Sequence, residues 1–211
     1  MRLSDAVTGY TLAKTADGYS PHTLADYGLH LRRLIAYLEN PELDQVTIED
    51  LRRFMVHCRV DLRRKDGQPL SEATLSNAWC AIRSLFGWAH AELGTPRPDL
   101  LLTRPRFVHP QTQPFTEDEV RRLLQAAEWS ALATTTERRA FRMRRPTWRR
   151  DVAMLLLLLD TALRASECGR LTLGDVDQAT GAVTVRPYRT GIKSRPRVVY
   201  LGRRARRALW S

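Results

Sequence analysis

Lysine is nearly absent from this sequence: Lys14, Lys65 and Lys193 are the only three among 34 basic residues. Cysteine is as sparse, and Cys58, Cys80 and Cys168 show neither CxxC nor Cys/His spacing. That excludes a disulfide framework and a zinc-ligand set, and it reads as small buried hydrophobes in a reducing cytosol. The longest apolar run, over residues 152–159, has eight residues, far short of the roughly 20 that cross a bilayer. The first twenty residues are mixed and polar. No secretory leader and no membrane partner are therefore expected, and the protein is placed in the cytoplasm, at the nucleoid. The sequence also lacks a Gly-rich phosphate loop and a carboxylate cluster, so neither a nucleotide cofactor nor a metal is expected.

What the sequence does have is positive charge, unevenly spread. The net charge is +11. Residues 1–110 carry 14 Lys and Arg against 13 Asp and Glu, a net of +1, whereas residues 111–211 carry 20 against 10, a net of +10. A GC-rich coding bias explains arginine in place of lysine, but not a surplus of cations over anions. Such a surplus attracts polyanions through counterion release, which makes double-stranded DNA the expected partner. Hydrophobic residues at 43% and charged residues at 27% otherwise describe a globular chain of one or two domains.

Local signals divide the chain. Ser20-Pro21 sets an N-cap and a first helical proline, and Leu24, Tyr27, Leu31, Leu34, Ile35 and Leu38 then recur at helical spacing until Asn40-Pro41. Thr47-Ile48-Glu49-Asp50 opens another helix with Leu51, Phe54, Met55 and Cys58 inward. Ser71 caps a third, carrying Leu75, Trp79, Ile82, Leu85, Phe86 and Trp88. With a helix near residues 3–14, this predicts a four-helix domain over residues 1–94. Pro96, Pro98, Pro105, Pro110 and Pro114 predict an interdomain linker over 95–114. Thr116 and Glu119 form a capping box that restarts the fold, so a second domain is expected over 115–211. A stretch over 137–150 holds seven arginines against one acid, and the apolar helix follows it. Residues 182–186 and 197–201 read as the strands of a hairpin with its tip over 187–196, and a last helix begins at Gly202-Arg203. The fold class expected is mainly α with a small antiparallel β element.

Between the apolar helix and the hairpin runs Thr161-x-Leu163-Arg164-x-Ser166-Glu167-x-x-x-Leu171-x-x-x-Asp175-Val176-Asp177. An arginine at the edge of a hydrophobic core costs desolvation unless an anion meets it. This pattern resembles the first active-site box of the tyrosine recombinases, the phage-integrase family. Ala162 stands where that family usually has Gly, and Cys168 where it usually has Leu. Ser20…Thr23…Tyr27…Leu31…Leu34 and Ser71…Thr74…Leu85-Phe86…Trp88 look like helices of the family's core-binding domain. Phe115-Thr116-x-x-Glu119-Val120-x-x-Leu123-Leu124 looks like the entry to its catalytic domain. The resemblance covers about residues 3–211. It implies a SAM-like four-helix core-binding domain followed by the first half of an α+β catalytic domain.

The resemblance also implies roles. Arg164 would clamp the scissile phosphate, since a planar, permanently charged fork holds two phosphate oxygens. The structural alternative is an arginine satisfying helix-terminal carbonyls or a buried carboxylate. Glu167 would support the site by ordering neighbouring cations, or would be a plain i, i+3 pair. Lys193 would protonate the leaving 5′ oxygen, a task that suits an ammonium whose pKa falls on desolvation. Some relatives carry that lysine four residues earlier, where this sequence has Arg189. Asp175 and Asp177 are expected to end the helix or begin the strand turn. Arg83, Arg186, Arg189, Arg195 and Arg197 are the expected DNA contacts, and nine basic residues with no acid run from Arg186 to Arg207. Implied partners are DNA and other recombinase protomers. No cofactor is implied, because the family keeps the energy of the DNA bond in a phosphotyrosine link.

In that family a His-x-x-Arg box, a later His or Trp and the tyrosine nucleophile come after the hairpin. Here His22, His30, His57, His90 and His109 all precede Arg164, and the last tyrosine, Tyr200, falls in a predicted strand. The expectation is a truncated recombinase that serves DNA integration by binding DNA without cutting it alone. Two alternatives stand beside it: a non-catalytic DNA-binding regulator of integration or transcription, and an all-α nucleic-acid binder in which the Arg164 box is coincidence.

Overall fold

The turn-forming and helix-starting residues act where they stand in the sequence. Ser20 Oγ accepts from the Thr23 amide at 3.1 Å to start α2 (Pro21–Tyr37). Thr47 and Asp50 cap each other at the start of α3 (Ile48–Val60), and Ser71 Oγ accepts from Thr74 at 3.2 Å to start α4 (Glu72–Leu93). Gly94 closes α4 in the left-handed conformation, φ +67°, which a residue without Cβ adopts at little cost. The computed structural model describes residues 1–106, 108, 111–134, 139–187 and 195–210. These divide into two units, Met1–Gln111 and Thr112–Ser211.

In the first unit, α1 (Leu3–Ala16) joins α2, α3 and α4 around a core that includes Leu3, Tyr10, Leu34, Phe54, Ile82 and Phe86, each at most 1% exposed. Tyr10 and Trp88 meet edge to face at 5.9 Å, and the Tyr10 hydroxyl lies 2.7 Å from Ser84 Oγ. The chain start is sewn to the turn after α2: Ser4 N donates to Asn40 Oδ1 at 2.9 Å and Leu3 N to the Pro41 carbonyl at 2.9 Å.

The residues expected to form a linker begin as part of this unit. A 3₁₀ turn over Pro98–Leu101 drives Asp99 to 0% exposure, where Arg97 binds it through two hydrogen bonds of 2.7 Å. Arg83 adds an ion pair at 3.5 Å and donates to the Asp99 carbonyl at 3.2 Å. Leu102 is buried and its carbonyl accepts from the Trp79 indole at 2.8 Å. Proline forbids a helix here but leaves an extended chain free to pack.

In the second unit, Thr116 and Glu119 form the capping box of α5 (Glu117–Glu128). α6 (Trp148–Thr161), the short α7 (Ala165–Cys168), a 3₁₀ turn over Leu173–Asp175, β1 (Ala182–Val185), β2 (Arg197–Tyr200) and α8 (Arg203–Leu209) follow. The two strands pair antiparallel, Ala182 opposite Tyr200 and Val185 opposite Arg197. Leu124, Leu156, Leu157, Leu163, Val183, Val185, Leu201 and Ala205 make the core under α5, α6 and α8. Among the described residues no helix is long and apolar enough to cross a membrane.

Candidate functional site

The end of α6 decides where Arg164 points. Ala162 takes the left-handed conformation at the helix C-cap, φ +50° and ψ +32°, and turns the chain out of the helix. That conformation crowds Cβ, so glycine suits the position better than alanine. Leu163 then plugs the core at 6% exposure, which places the next side chain at the core's rim. Cys168 packs against the same core as a small hydrophobe, with its thiol pKa pushed up by burial.

Arg164 stands at the N-cap of α7, where Glu167 Oε2 accepts from its backbone amide at 3.0 Å. The Glu167 side chain is only 3% exposed, and its Oε1 meets the Arg164 guanidinium at 3.2 Å. Arg197 reaches the same carboxylate from β2 with two hydrogen bonds, 3.1 and 2.8 Å. These bonds hold the Arg197 guanidinium pKa above its usual range. One buried carboxylate thus fixes two guanidinium groups. They are not equivalent, since Arg164 keeps 59% of its side chain exposed and Arg197 only 33%. A fork tethered at one corner and open on its outer side is suited to take a tetrahedral anion from solvent.

Strand alternation explains the Arg197 position. Arg197 and Val199 are half-buried while Val198 and Tyr200 are exposed, so the arginine shares the inner face of the ribbon. Arg197, expected as a DNA contact, here gives two of its donors to Glu167. Tyr200, 66% exposed, lies on the ribbon face opposite Arg197. Asp175 is buried at the 3₁₀ turn, and its carboxyl pKa is held down first by the Thr172 hydroxyl and amide, then by Arg186 at 2.8 Å. Asp177 accepts from Ala179 and Thr180 to build the turn before β1. Both acids serve the loop between α7 and β1.

The remaining expected site residues scatter. Arg186 is ion-paired but 73% exposed at the side chain, and Arg195 is exposed. Arg83 belongs to the first unit, where it serves Asp99 and stacks over Trp79 at 5.3 Å. Lys193 and Arg189 lie outside the described residues. Sequence reading missed the Arg197–Glu167 and Arg186–Asp175 pairs; the one available signal was the inward register of 197 and 199 in an alternating strand. Among the described residues no group of three His, Cys, Asp or Glu side chains could hold a metal ion.

Family models, curated relatives and solved structures all match this pair of units. The model of the phage integrase N-terminal SAM-like domain matches residues 12–92, and that of the phage integrase family matches residues 113–210. Tyrosine recombinase XerD of Vibrio vulnificus (strain YJ016) is 28% identical over 191 residues, covering 89% of this chain and 54% of the relative. Tyrosine recombinase XerC of Pelobacter propionicus is 30% identical, covering 93% and 58%. The structure of a lambda integrase dimer bound to a COC′ core site superposes with a TM-score of 0.70 at 19% identity, over 99% of this chain and 68% of that one. The chain belongs to the tyrosine recombinase family. Its fold is mostly helical with a two-stranded antiparallel sheet, a SAM-like first domain and part of an integrase catalytic domain. It spans about half the length of the curated relatives it matches.

Proposed function

We propose that this chain binds double-stranded DNA in site-specific recombination or integration, with Arg164 as the clamp on the phosphate to be exchanged. The observation that carries this reading is the tether of Arg164 to the buried Glu167, shared with Arg197, which leaves the outer edge of the fork exposed. A guanidinium held this way donates to non-bridging phosphate oxygens without paying to reorganise when charge develops on them. Glu167 and Arg197 act as positioning residues through Arg164. Lys193, or Arg189 in its place, is the proposed hairpin cation beside the leaving oxygen, and only the lysine can donate a proton there. Arg83, Arg186, Arg189 and Arg195 are proposed contacts to the DNA backbone, and other recombinase protomers are proposed partners. The related recombinases are bacterial proteins, which supports a cytoplasmic site of action on the nucleoid.

No histidine follows Arg164 in these 211 residues, and Tyr200, the last tyrosine, faces away from Arg197. We propose that the 211-residue polypeptide binds DNA without cutting it alone, since Tyr200 lies on the ribbon face opposite the arginine that shares Glu167 with Arg164. The test is a gel-shift series with duplex DNA over increasing salt, followed by nicked suicide substrates. The expected result is salt-sensitive binding without a covalent adduct. Absence of binding at low salt overturns the DNA reading, and an adduct mapped to Tyr200 overturns the reading that the chain does not cut alone.

A further inference from the structure

Residues 129–134 and 139–147, between α5 and α6, form an excursion that the Arg164 site does not use. Its base is a short ladder: Ser130 N donates to the Met143 carbonyl at 2.8 Å, and Ala133 and Phe141 exchange bonds of 2.9 and 3.1 Å. Arg144 anchors it by lying over two indoles, 5.2 Å from Trp129 and 4.6 Å from Trp148, while pairing with Glu128 at 3.0 Å. Arg145 donates to the Ala126 carbonyl at 3.1 Å, where the end of α5 presents partial negative charge. The excursion is thus fixed to the last turn of α5, and the two together enclose an open cleft of about 570 Å³.

The lining of that cleft is chemically one-sided. Arg122, Arg142 and Arg145 converge on it with Gln125, Ser130 and the Trp129 indole, and among the described residues no carboxylate lines it. Glu128 pairs with Arg144 and Asp118 with Arg121, while Glu119, bonded to the Thr116 cap, and Asp151, bonded to Thr147 and Arg150, also feel the charges of Arg122 and Arg145 without lining the cleft. Three like charges around one concavity repel each other unless an anion sits among them. Forked donors match the tetrahedral oxygens of a phosphodiester, and the indole and amide add a stacking face and a neutral donor.

We propose that this cleft is a second DNA-backbone site in the Thr112–Ser211 unit, built by α5 with residues 129–131 and 142–145 and separate from the Arg164 clamp. The proposal rests on the reading of the chain as a duplex-DNA binder. The contact is to phosphate and carries no sequence preference of its own, so it adds affinity and register rather than site choice.

The test is arginine footprinting on the unsubstituted 211-residue chain. Phenylglyoxal labelling is mapped by mass spectrometry with and without a mixed-sequence duplex. Arg122 and Arg142 are expected to be protected by DNA, and R122A/R142A to flatten the log-affinity against log-salt line by about 1 to 2 units for any duplex. Binding of DNA by the chain with both arginines still labelled at the free-protein rate overturns the second site and leaves the DNA reading standing. Protection by polyglutamate but not by DNA makes the cleft a peptide site and equally overturns it. A chain that fails to bind duplex at all overturns the DNA reading itself, which the salt series detects before any footprint is taken. Because the footprint uses the native sequence, a misfolded variant does not decide the outcome.

Discussion

Each unit of this protein buries one carboxylate between two arginines, and what separates the two arrangements is how much of the arginines is left over. In the first unit Asp99 is fully buried, Arg97 grips it through both oxygens at 2.7 Å, and Arg83 divides itself between Asp99 and the Trp79 ring. Arg97 and Arg83 retain only 22% and 32% exposure. In the second unit Glu167 is as deeply buried, and Arg197 plays the part of Arg97. Arg164, though, touches the carboxylate through one nitrogen and keeps 59% exposure. The same chemical device is closed in one unit and open in the other. An Asp or Glu between two arginines is by itself a structural feature, and the exposed fork of Arg164 is what sets the proposed site apart. The charge balance follows the same division, near neutral over residues 1–110 and +10 over 111–211.

This comparison can be broken first at Asp99. Asp99→Ala leaves Arg97 and Arg83 facing an emptied, buried position, and it should cost about 3 kcal/mol, read as a drop in the urea midpoint. Loss of DNA affinity by the folded variant, with the midpoint unmoved, would erase the distinction between the units. Glu167→Ala should destabilise the second unit by less, since its arginines are more solvated. Hydrogen exchange should locate the loss in α7 and β2, leaving α1–α4 protected as before.

A smaller effect belongs to pH. His30 is buried, with Nδ1 unpartnered, and burial pushes its pKa below the usual 6.5. The unfolded chain therefore takes up the proton first as pH falls through about 6.5. Stability declines from there until the folded-state pKa is passed. Urea midpoints measured across this range should fall on acidification in the parent and fall less in His30→Gln; parallel curves would remove His30 as the cause. The smallest effect is a gain. Ala162→Gly relieves a left-handed residue at the α6 C-cap and should stabilise by about 0.5 kcal/mol after glycine's larger entropy loss. A lower midpoint would show that Ala162 carries no strain.

What could be read from the sequence was what neighbouring residues decide together. The caps at Ser20, Thr47, Ser71 and Thr116 each rest on a contact three residues away, and all four form as expected. The Arg164–Glu167 contact is local in the same sense. The partners that complete each device are distant: Arg197 stands 30 residues from Glu167, and Arg83 stands 16 from Asp99. Nothing in the neighbourhood of Arg197 distinguished it from the basic residues around it except the alternation of its strand. The five prolines after Gly94 argued against a continuous helix but gave no sign of the 3₁₀ turn over Pro98–Leu101, and Asp99 and Leu102, which tie that segment to the first unit, carry no local signature. The excursion between α5 and α6 was visible only as a density of arginines, because its base pairs Ser130 with Met143 and Trp129 with Arg144, residues 13 and 15 positions apart.

The most direct test of the open fork is Arg164→Ala set beside Arg97→Ala, each measured twice, by urea unfolding and by duplex binding over a salt series. With Arg164 removed, the midpoint should stay within about 0.5 kcal/mol of the parent, because Arg197 still pairs the buried Glu167 and the Arg164 guanidinium is largely solvated. Affinity for duplex should fall at low salt, and the salt slope should flatten by about one phosphate contact. Arg97→Ala should show the reverse, a lowered midpoint with the slope unchanged. An Arg164→Ala chain that loses stability like Arg97→Ala while keeping the parent's salt slope would contradict the account, and would make Arg164 a structural arginine.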